Sequence, residues 1–467
     1  MLETSSNTST KRGLFITEDG QNQVFTFILV CSLFFLWAVC NGMIDVMDKH
    51  FQEELSLSKA QSAWVQFAHY LGYFLMAIPA GWLASKLGYK RGIILGLLIV
   101  ALGGFWFLPA SHINSLVHTG TVSPTMAFVA FLAGVCVIAT GLTFLETIAN
   151  PYTTVLGDLR YAATRINLAQ SCNGVGWIFG PPIGGMFFYG KDALGRSTGS
   201  ETLYIPYLTV AIVAALIAVV FAFAKVPDIE MKDQFHLDDS TPGVSHSIWS
   251  HPHFVLAVAA QFFYVAAQAG IFSFFINYMT AELPAIPASW TSVSWLHTWF
   301  ETSHAGVISL SDKGAANLAS AAFGCFLLGR ITGAGLLRKF SAHKTLGLYA
   351  LLNVVITLLV FLKLGWLSVI CVFLSYFFMS IMFPTIFALG IFGLGARGKK
   401  ASAFIVMAIM GGALLPKLMG YVADKYDMSR GFIVPMFCFA FVAYYGFNWS
   451  KWSKSESLHG VEASRGH

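Results

Sequence analysis

The sequence predicts an all-α membrane protein whose twelve transmembrane helices form two pseudo-symmetric six-helix bundles. Hydrophobic residues make up 56% of the 467-residue chain and charged residues only 11%, whereas an ordinary globular domain carries about 25% charged residues. The apolar residues cluster in runs of about 20 or more, the length that a helix needs to cross a bilayer. Little of the chain is left for a soluble catalytic domain, so we do not expect an enzyme.

Twelve apolar runs lie along the chain, in two sets of six on either side of a polar stretch. The first set covers residues 24–46, 60–85, 91–110, 125–157, 166–190 and 203–225. The second set covers residues 252–283, 313–338, 344–364, 366–394, 400–423 and 431–450. The polar stretch between them has the composition of a surface linker. We therefore expect a tail at 1–23, a bundle at 24–226, a linker at 227–251, a bundle at 252–450 and a tail at 451–467.

The loops between the runs predict how the chain crosses the membrane. Lys and Arg are more frequent on the side of the two tails and the linker than on the other side, and this bias marks the cytoplasmic side. We therefore expect both termini in the cytoplasm. The net charge of +5 forms no continuous basic face, so nucleic acid is not an expected partner. The seven cysteines fall within predicted spans and lack metal-ligand spacing.

Related basic turns occur at the same place in the two halves. Residues 81–90 follow the second run and residues 335–344 follow the eighth. Internal repeats of this kind are typical of secondary transporters, which bind substrate between two rocking halves. Basic loops set by membrane orientation alone are the other explanation.

Two acidic residues stand out within the apolar runs, where an ionisable group costs at least a few kcal/mol and usually marks an ion or substrate pathway. Asp45 ends the first run, with Asn41 one turn earlier on the same face. Glu146 lies in the fourth run, with Asn150 one turn later. A carboxyl in a medium of low dielectric suits a group that takes up and releases protons. The alternatives are a helix end reaching water for Asp45 and a structural role for Glu146.

Neutral polar residues are candidates for ligand contacts. Asn167, Gln170 and Asn173 form a stripe along the fifth run, and their amides suit a polyhydroxylated ligand because they both donate and accept hydrogen bonds. Bonds between helices are the alternative. The second half has no counterpart of the two acids, which predicts that the acids couple an ion and neutral residues hold the ligand. These further candidates are Trp37, Gln261, Tyr264 and Gln268, although core packing is an equal explanation for the two aromatic residues.

Several motifs carry a family resemblance. The chain has CSLFFLWAV at 31–39, LETIANP at 145–151, NLAQ at 167–170, PTIF at 384–387 and SAFIVM at 402–407. In these motifs it resembles the fucose–galactose–glucose proton symporters of the major facilitator superfamily. The resemblance implies the major facilitator fold and import of a monosaccharide with a proton across an inner (plasma) membrane. It also implies that the carboxylates of Asp45 and Glu146 take part in proton coupling and sugar binding.

Some residues depart from the pattern of these symporters and leave the identity of the sugar open. Gly42 and Ile44 replace asparagines beside the first acid. Asn277 stands where the pattern has an arginine, and His69 replaces an aromatic residue. Lys417 lies unexpectedly in the eleventh run, where it pairs with an acid, contacts ligand or extends to the membrane interface.

Together these observations favour a monomeric transporter that imports a monosaccharide with a proton and needs no cofactor. Sodium is the alternative coupling ion. The segment 176–185 resembles the fifth-helix signature of proton-driven drug exporters, so export is a further alternative. A membrane sugar sensor that binds without translocation is the alternative from another class.

Overall fold

The computed structural model describes two successive sets of helices. It covers residues 14–17, 20–54, 57–157, 162–189, 202–227, 248–291, 299–302, 308–337, 340–392, 394 and 398–453. Most of the predicted linker and parts of both tails lie outside these residues. The first set contains α1 (Val24–Glu54), α2 (Lys59–Ser62), α3 (Trp64–His118), α4 (Pro124–Val155), α5 (Ala162–Phe188) and α6 (Tyr204–Phe223).

The second set is divided into more and shorter helices. It contains α7 (Pro252–Ser273), α8 (Phe275–Glu282), α9 (Ala288–Thr291), α10 (Asp312–Leu337), α11 (Ala342–Phe361), α12 (Trp366–Met379), α13 (Met382–Ile391), α14 (Gly398–Met407), α15 (Gly411–Lys425), α16 (Met428–Gly431) and α17 (Ile433–Ser453). Single 3-10 turns lie at Ile248–Ser250 and Ala408–Met410.

The predicted all-α membrane class is confirmed. Ten segments of the described helices are long and apolar enough to cross a membrane. The other two predicted spans, 60–85 and 166–190, are also helical over most of their length, in the first part of α3 and in α5. The sequence of α5 includes amides, glycines and two adjacent prolines, which make it less apolar than its neighbours.

The predicted turn after the second span is a kink within α3. Gly88 has φ +77° and ψ 172° inside an otherwise helical run. A positive φ is unfavourable for a residue with a Cβ, so glycine is the residue that permits this break. The kink separates the second and third predicted spans.

Three predicted spans of the second half are interrupted. Phe274, with φ −95° and ψ 10°, separates α7 from α8, and two residues separate α12 from α13. The 3-10 turn Ala408–Met410 joins α14 to α15. Such interruptions free backbone groups from helical hydrogen bonds, and in transporters they commonly lie at substrate sites.

The two halves contact each other at one end of the molecule, called the α2 end here because α2 lies there. The two carboxylate oxygens of Asp424 accept hydrogen bonds from the backbone N–H groups of Lys59 (3.0 Å) and Ala60 (2.9 Å). The Lys59 ammonium also lies 3.5 Å from this carboxylate. The side chain of Asn277 donates a hydrogen bond to Gln52 across the same interface. These contacts hold the halves together at the α2 end.

A short β-hairpin precedes α10 and was not predicted. Strand β1 (Phe300–Thr302) pairs in antiparallel fashion with β2 (Ile308–Leu310), and Phe300 lies opposite Leu310. Each strand has three residues, too few to show the alternating pattern that identifies a strand in a sequence.

Glycines allow α1 and α5 to approach closely. A Cβ placed at Gly180 would lie 2.7 Å from the Cα of Gly42, and one at Gly176 would lie 2.6 Å from the carbonyl oxygen of Phe35. Small residues at such crossings let helix backbones pack directly on each other within a membrane. Gly176 and Gly180 of the segment 176–185 therefore form a packing surface against α1.

We predict that Gly180→Ala destabilises the protein by about 1–3 kcal/mol, because the new methyl group overpacks the crossing. Thermal unfolding in detergent, followed by size-exclusion chromatography, measures the change. Gly324→Ala is the matched control, since a Cβ at Gly324 meets no atom within 4 Å and alanine favours a helix. Equal melting temperatures for the two variants would contradict the packing role of Gly180.

Candidate functional site

The first predicted acid, Asp45, is buried in α1 and bonded to α3. Its Oδ1 accepts a hydrogen bond from Nε2 of Gln66 (2.9 Å), and its Oδ2 has no partner among the described residues. Ionising such a carboxyl carries a large desolvation cost. Asn41, one turn earlier, is also buried and donates to the backbone carbonyl of Trp37 (2.8 Å). Asn41 and Asp45 therefore share a face of α1, as predicted from their spacing.

The second predicted acid, Glu146, is linked to Trp37 through the hydroxyl of Tyr73. The indole Nε1 of Trp37 donates to this hydroxyl (2.5 Å), and the hydroxyl bonds the Glu146 carboxylate. One buried tyrosine thus connects α1, α3 and α4. The Trp37 ring also packs edge-on against Trp177 of α5, with 6.1 Å between the ring centroids. Tyr73 therefore fixes the position of the Glu146 carboxylate.

The polar stripe on α5 is only partly defined by side-chain contacts. Asn173 is buried, and its Nδ2 lies 3.4 Å from the carbonyl oxygen of Phe34 in α1. This contact agrees with the interhelical alternative at that position. Gln170 is half-buried on the same helix. The side chains of Asn167 and of Asn150 lie outside the described part of the chain.

The predicted polar residues of the second half lie together on α7. Gln261 is fully buried, and neither atom of its amide group has a hydrogen-bond partner among the described residues. The Tyr264 hydroxyl donates to the carbonyl oxygen of Met379 (3.0 Å), at the point where α12 is interrupted. Gln268, one turn later, is half-buried. The amide of Gln261 is therefore available for hydrogen bonds to a ligand.

Arg330 is a further polar residue near this group, and the sequence analysis missed it. Its guanidinium lies close to Tyr264 and 5.0 Å from the ring centroid of Phe326. Two of its nitrogens, Nε and Nη1, are buried without partners in the described structure. A single arginine within the apolar run of α10 was the available signal, because a buried cation is as costly there as a buried acid.

Lys417 has a partner that was not among the alternatives weighed for it. Its ammonium lies 3.8 Å from the ring centroid of Trp64. An ammonium over an indole face is attracted by the partial negative charge on that face of the neutral ring, by about 0.5–2 kcal/mol. Since Lys417 belongs to α15 and Trp64 to α3, this contact also joins the two halves.

The fold and these residues together define a membrane transporter built from two helix bundles. The chain belongs to the major facilitator superfamily, whose family model matches residues 26–390. This finding confirms the resemblance seen in the sequence.

Relatives with known names are similar along nearly their whole length. The chain is 34% identical to the L-fucose-proton symporter of Escherichia coli (strain K12), over 91% of this chain and 92% of that protein. It is 30% identical to a glucose/galactose transporter of Brucella abortus, over 93% of this chain and 96% of that protein. A crystal structure of the E. coli fucose:proton symporter matches with a TM-score of 0.65 and 32% identity, covering 94% of this chain and 100% of that chain.

We predict that Tyr73→Phe lowers the free energy of unfolding by about 1–3 kcal/mol, because the indole N–H of the half-buried Trp37 loses its acceptor. The phenylalanine ring keeps the packing of Tyr73, so the change in stability measures the contribution of the hydroxyl group alone. Thermal unfolding in detergent measures it. Tyr444→Phe, at an exposed tyrosine, is the control, and equal melting temperatures for both variants would contradict the network.

Proposed function

We propose that the protein imports a monosaccharide together with a proton by alternating access, as a monomer in the inner membrane. The observation that carries the proposal is the placement of polar groups in the two halves. Asp45 and Glu146 lie in the first half, each bonded to a neutral side chain of α3. Gln261 lies in the second half with an unsatisfied amide. The names of the relatives, a fucose–proton symporter and glucose/galactose transporters, support the same function.

The acids supply the coupling chemistry in this proposal. A carboxylate buried among apolar helices is costly, and protonation removes that cost. The protein therefore closes around its cargo more readily when Asp45 or Glu146 carries a proton. Proton and sugar are released after the site opens to the cytoplasm, and the emptied carrier then returns to the outward-facing state, where the carboxyl is loaded again.

The neutral groups supply the sugar contacts. Sugar hydroxyls both donate and accept hydrogen bonds, so they match amide and hydroxyl side chains. We propose that Gln261, Tyr264 and Gln268 bind the sugar from the second half, and that Trp37 packs against its apolar face. The other proposed contacts come from the first half: Asn41, Asp45, Glu146, Asn150, Asn167, Gln170 and Asn173.

The proposed cycle rocks the segment 24–226 against the segment 252–450, with 227–251 as a linker between them. We propose that both termini are cytoplasmic, which makes the α2 end external. The contacts of Asp424 with Lys59 and Ala60 then close the site to the outside. Breaking them is part of the step that admits sugar.

Uptake into proteoliposomes tests the proposed function. With an inward proton gradient, labelled L-fucose, D-galactose or D-glucose should accumulate above the external concentration, and a protonophore should abolish this accumulation. Accumulation driven by a sodium gradient alone would instead indicate a sodium-coupled carrier. Proton-driven efflux would indicate an exporter, and binding without accumulation would indicate a sensor.

We predict that Glu146→Gln reduces gradient-driven accumulation to the level of protein-free liposomes while counterflow exchange persists. Glutamine retains hydrogen bonding to Tyr73 but carries no titratable proton, so exchange without net proton movement is spared. Glu53→Gln is the control, because the side chain of Glu53 is 48% exposed near the end of α1. Uphill transport by Glu146→Gln would exclude this acid as the essential proton carrier.

We predict that Asp424→Asn speeds amide hydrogen exchange in the segment 57–63 by about tenfold or more. A hydrogen bond to a charged group contributes about 1.5–3 kcal/mol, and asparagine loses the charge that holds the N–H groups of Lys59 and Ala60. Hydrogen-exchange mass spectrometry measures the effect. Asp427→Asn is the control, since Asp427 bonds Arg430 and Lys363 within the second half. Unchanged exchange in Asp424→Asn would contradict its role in closure.

A further inference from the structure

A further buried acid, Asp48, lies one turn after Asp45 on α1 and has no part in the cycle described above. It is 0% exposed, and the spacing of three residues places both acids on one face of the helix. The Asp45 carboxyl, the Gln66 amide and the Ser273 hydroxyl lie within reach of the Asp48 carboxyl. No hydrogen bond of good geometry reaches either Asp48 oxygen among the described residues.

The charged and titratable groups around the two acids do not neutralise them. Those that face the acids from other helices are the hydroxyls of Tyr70, Tyr189, Tyr207 and Tyr376. On α1, the Lys49 ammonium lies 2.9 Å from Glu53 and 3.8 Å from Asp312. The ring of His50 packs against Phe188 of α5. The described surroundings therefore offer the two carboxyls no cation.

Two neighbouring carboxyls in an apolar site strongly disfavour double ionisation, because like charges repel and both lose hydration. They titrate as a unit and hold a proton between them over the pH range in which one is ionised. We propose that Asp45 and Asp48 together bind the coupled proton, which makes Asp48 a second proton-binding residue of this pair. The inference rests on the proposed function and adds a residue to its coupling site.

Ser273 gives the pair a connection to the other half. It is the last residue of α7, it is buried, and its hydroxyl also lacks a partner in the described structure. Movement of α7 away from α1 exposes Asp48 to water on that side. The ionised pair then takes up a proton from that external water: an O–H bond forms on one carboxyl, hydronium becomes water, and the pair loses one negative charge.

Infrared spectroscopy of the purified protein tests the pair without any sugar. The carbonyl stretching band of protonated carboxyls is followed as a function of pH in the wild type, in Asp48→Asn and in Asp48→Glu. Removing one acid ends the repulsion, so Asp45 loses its proton more readily and the titration midpoint moves to lower pH, by about one unit. Asp48→Glu restores a second carboxyl and should return the midpoint toward the wild-type value.

The controls separate a shared proton from a structural role. Glu53→Gln should leave the midpoint unchanged. If Asp48 is permanently protonated, Asp48→Asn removes a constant band and the midpoint stays in place, which overturns the proposal. Should Asp48→Asn fail to fold, Asp48→Leu provides a second neutral variant, because no hydrogen bond of good geometry reaches the Asp48 carboxyl from the described residues. An unchanged titration midpoint in Asp48→Leu would also overturn the proposal.

Transport assays keep this inference distinct from the proposed function. If the wild type fails to accumulate sugar, the function fails, yet the infrared midpoint still reports whether Asp45 and Asp48 share a proton. If the wild type accumulates sugar and Asp48→Asn leaves the pH profile of accumulation unchanged, only the role of Asp48 fails. If the pH profile of accumulation moves to lower pH in Asp48→Asn, the result supports both the proposed function and the role of Asp48.

Discussion

The cost of placing polar and ionisable groups among apolar helices constrains this protein more than any other interaction. A polar group without a partner costs several kcal/mol in an apolar environment, and an unpaired charge costs more. The first bundle meets this cost with neutral donors from α3: Gln66 bonds Asp45 and Tyr73 bonds Glu146. Each acid is thereby held in position by a neutral side chain. A carboxyl in that situation responds to protonation, whereas one locked to an arginine does not.

The same constraint shapes the second bundle in a different way. Its predicted spans are interrupted where α7, α12 and α14 end, so backbone groups there need partners other than their own helix. At the end of α12, the Tyr264 hydroxyl donates a hydrogen bond to the backbone carbonyl of Met379. This interruption therefore lies beside Tyr264, one turn after Gln261 on α7, and α7 itself contains no acid. The first bundle is therefore suited to proton exchange and the second to neutral hydrogen bonding, although their helices repeat.

The helices and the first two acids were predictable because their signals are local. Long apolar runs specify the spans, and an acid within such a run is conspicuous. Asp48 was missed because Lys49 and His50 follow it and the segment has the composition of a helix end in water. The structure instead continues α1 to Glu54 and buries Asp48 completely.

The cross-helix contacts were beyond the reach of sequence patterns. Tyr73 is one of many aromatic residues in apolar runs, and its bonding to Trp37 and Glu146 depends on how three helices are rotated about their axes. Arg330 differs, since the cost argument that singled out Glu146 applies equally to an arginine in an apolar run. Arg330 was therefore predictable from the sequence, whereas the contacts of Tyr73 with Trp37 and Glu146 could be found only in the structure.

The contacts that close the α2 end and the proposed proton site both lie between α1 and the consecutive helices α7 and α8. Asp48 of α1 faces Ser273 at the end of α7, and Gln52 of α1 bonds Asn277 of α8. Four residues along α1 correspond to about 6 Å, so a tilt that separates Gln52 from Asn277 also moves Asp48 away from Ser273. Opening this end therefore changes the hydration of the buried acids through the motion of a single helix. Proton binding can therefore be coupled to the opening of the site at this end without a longer pathway through the bundle.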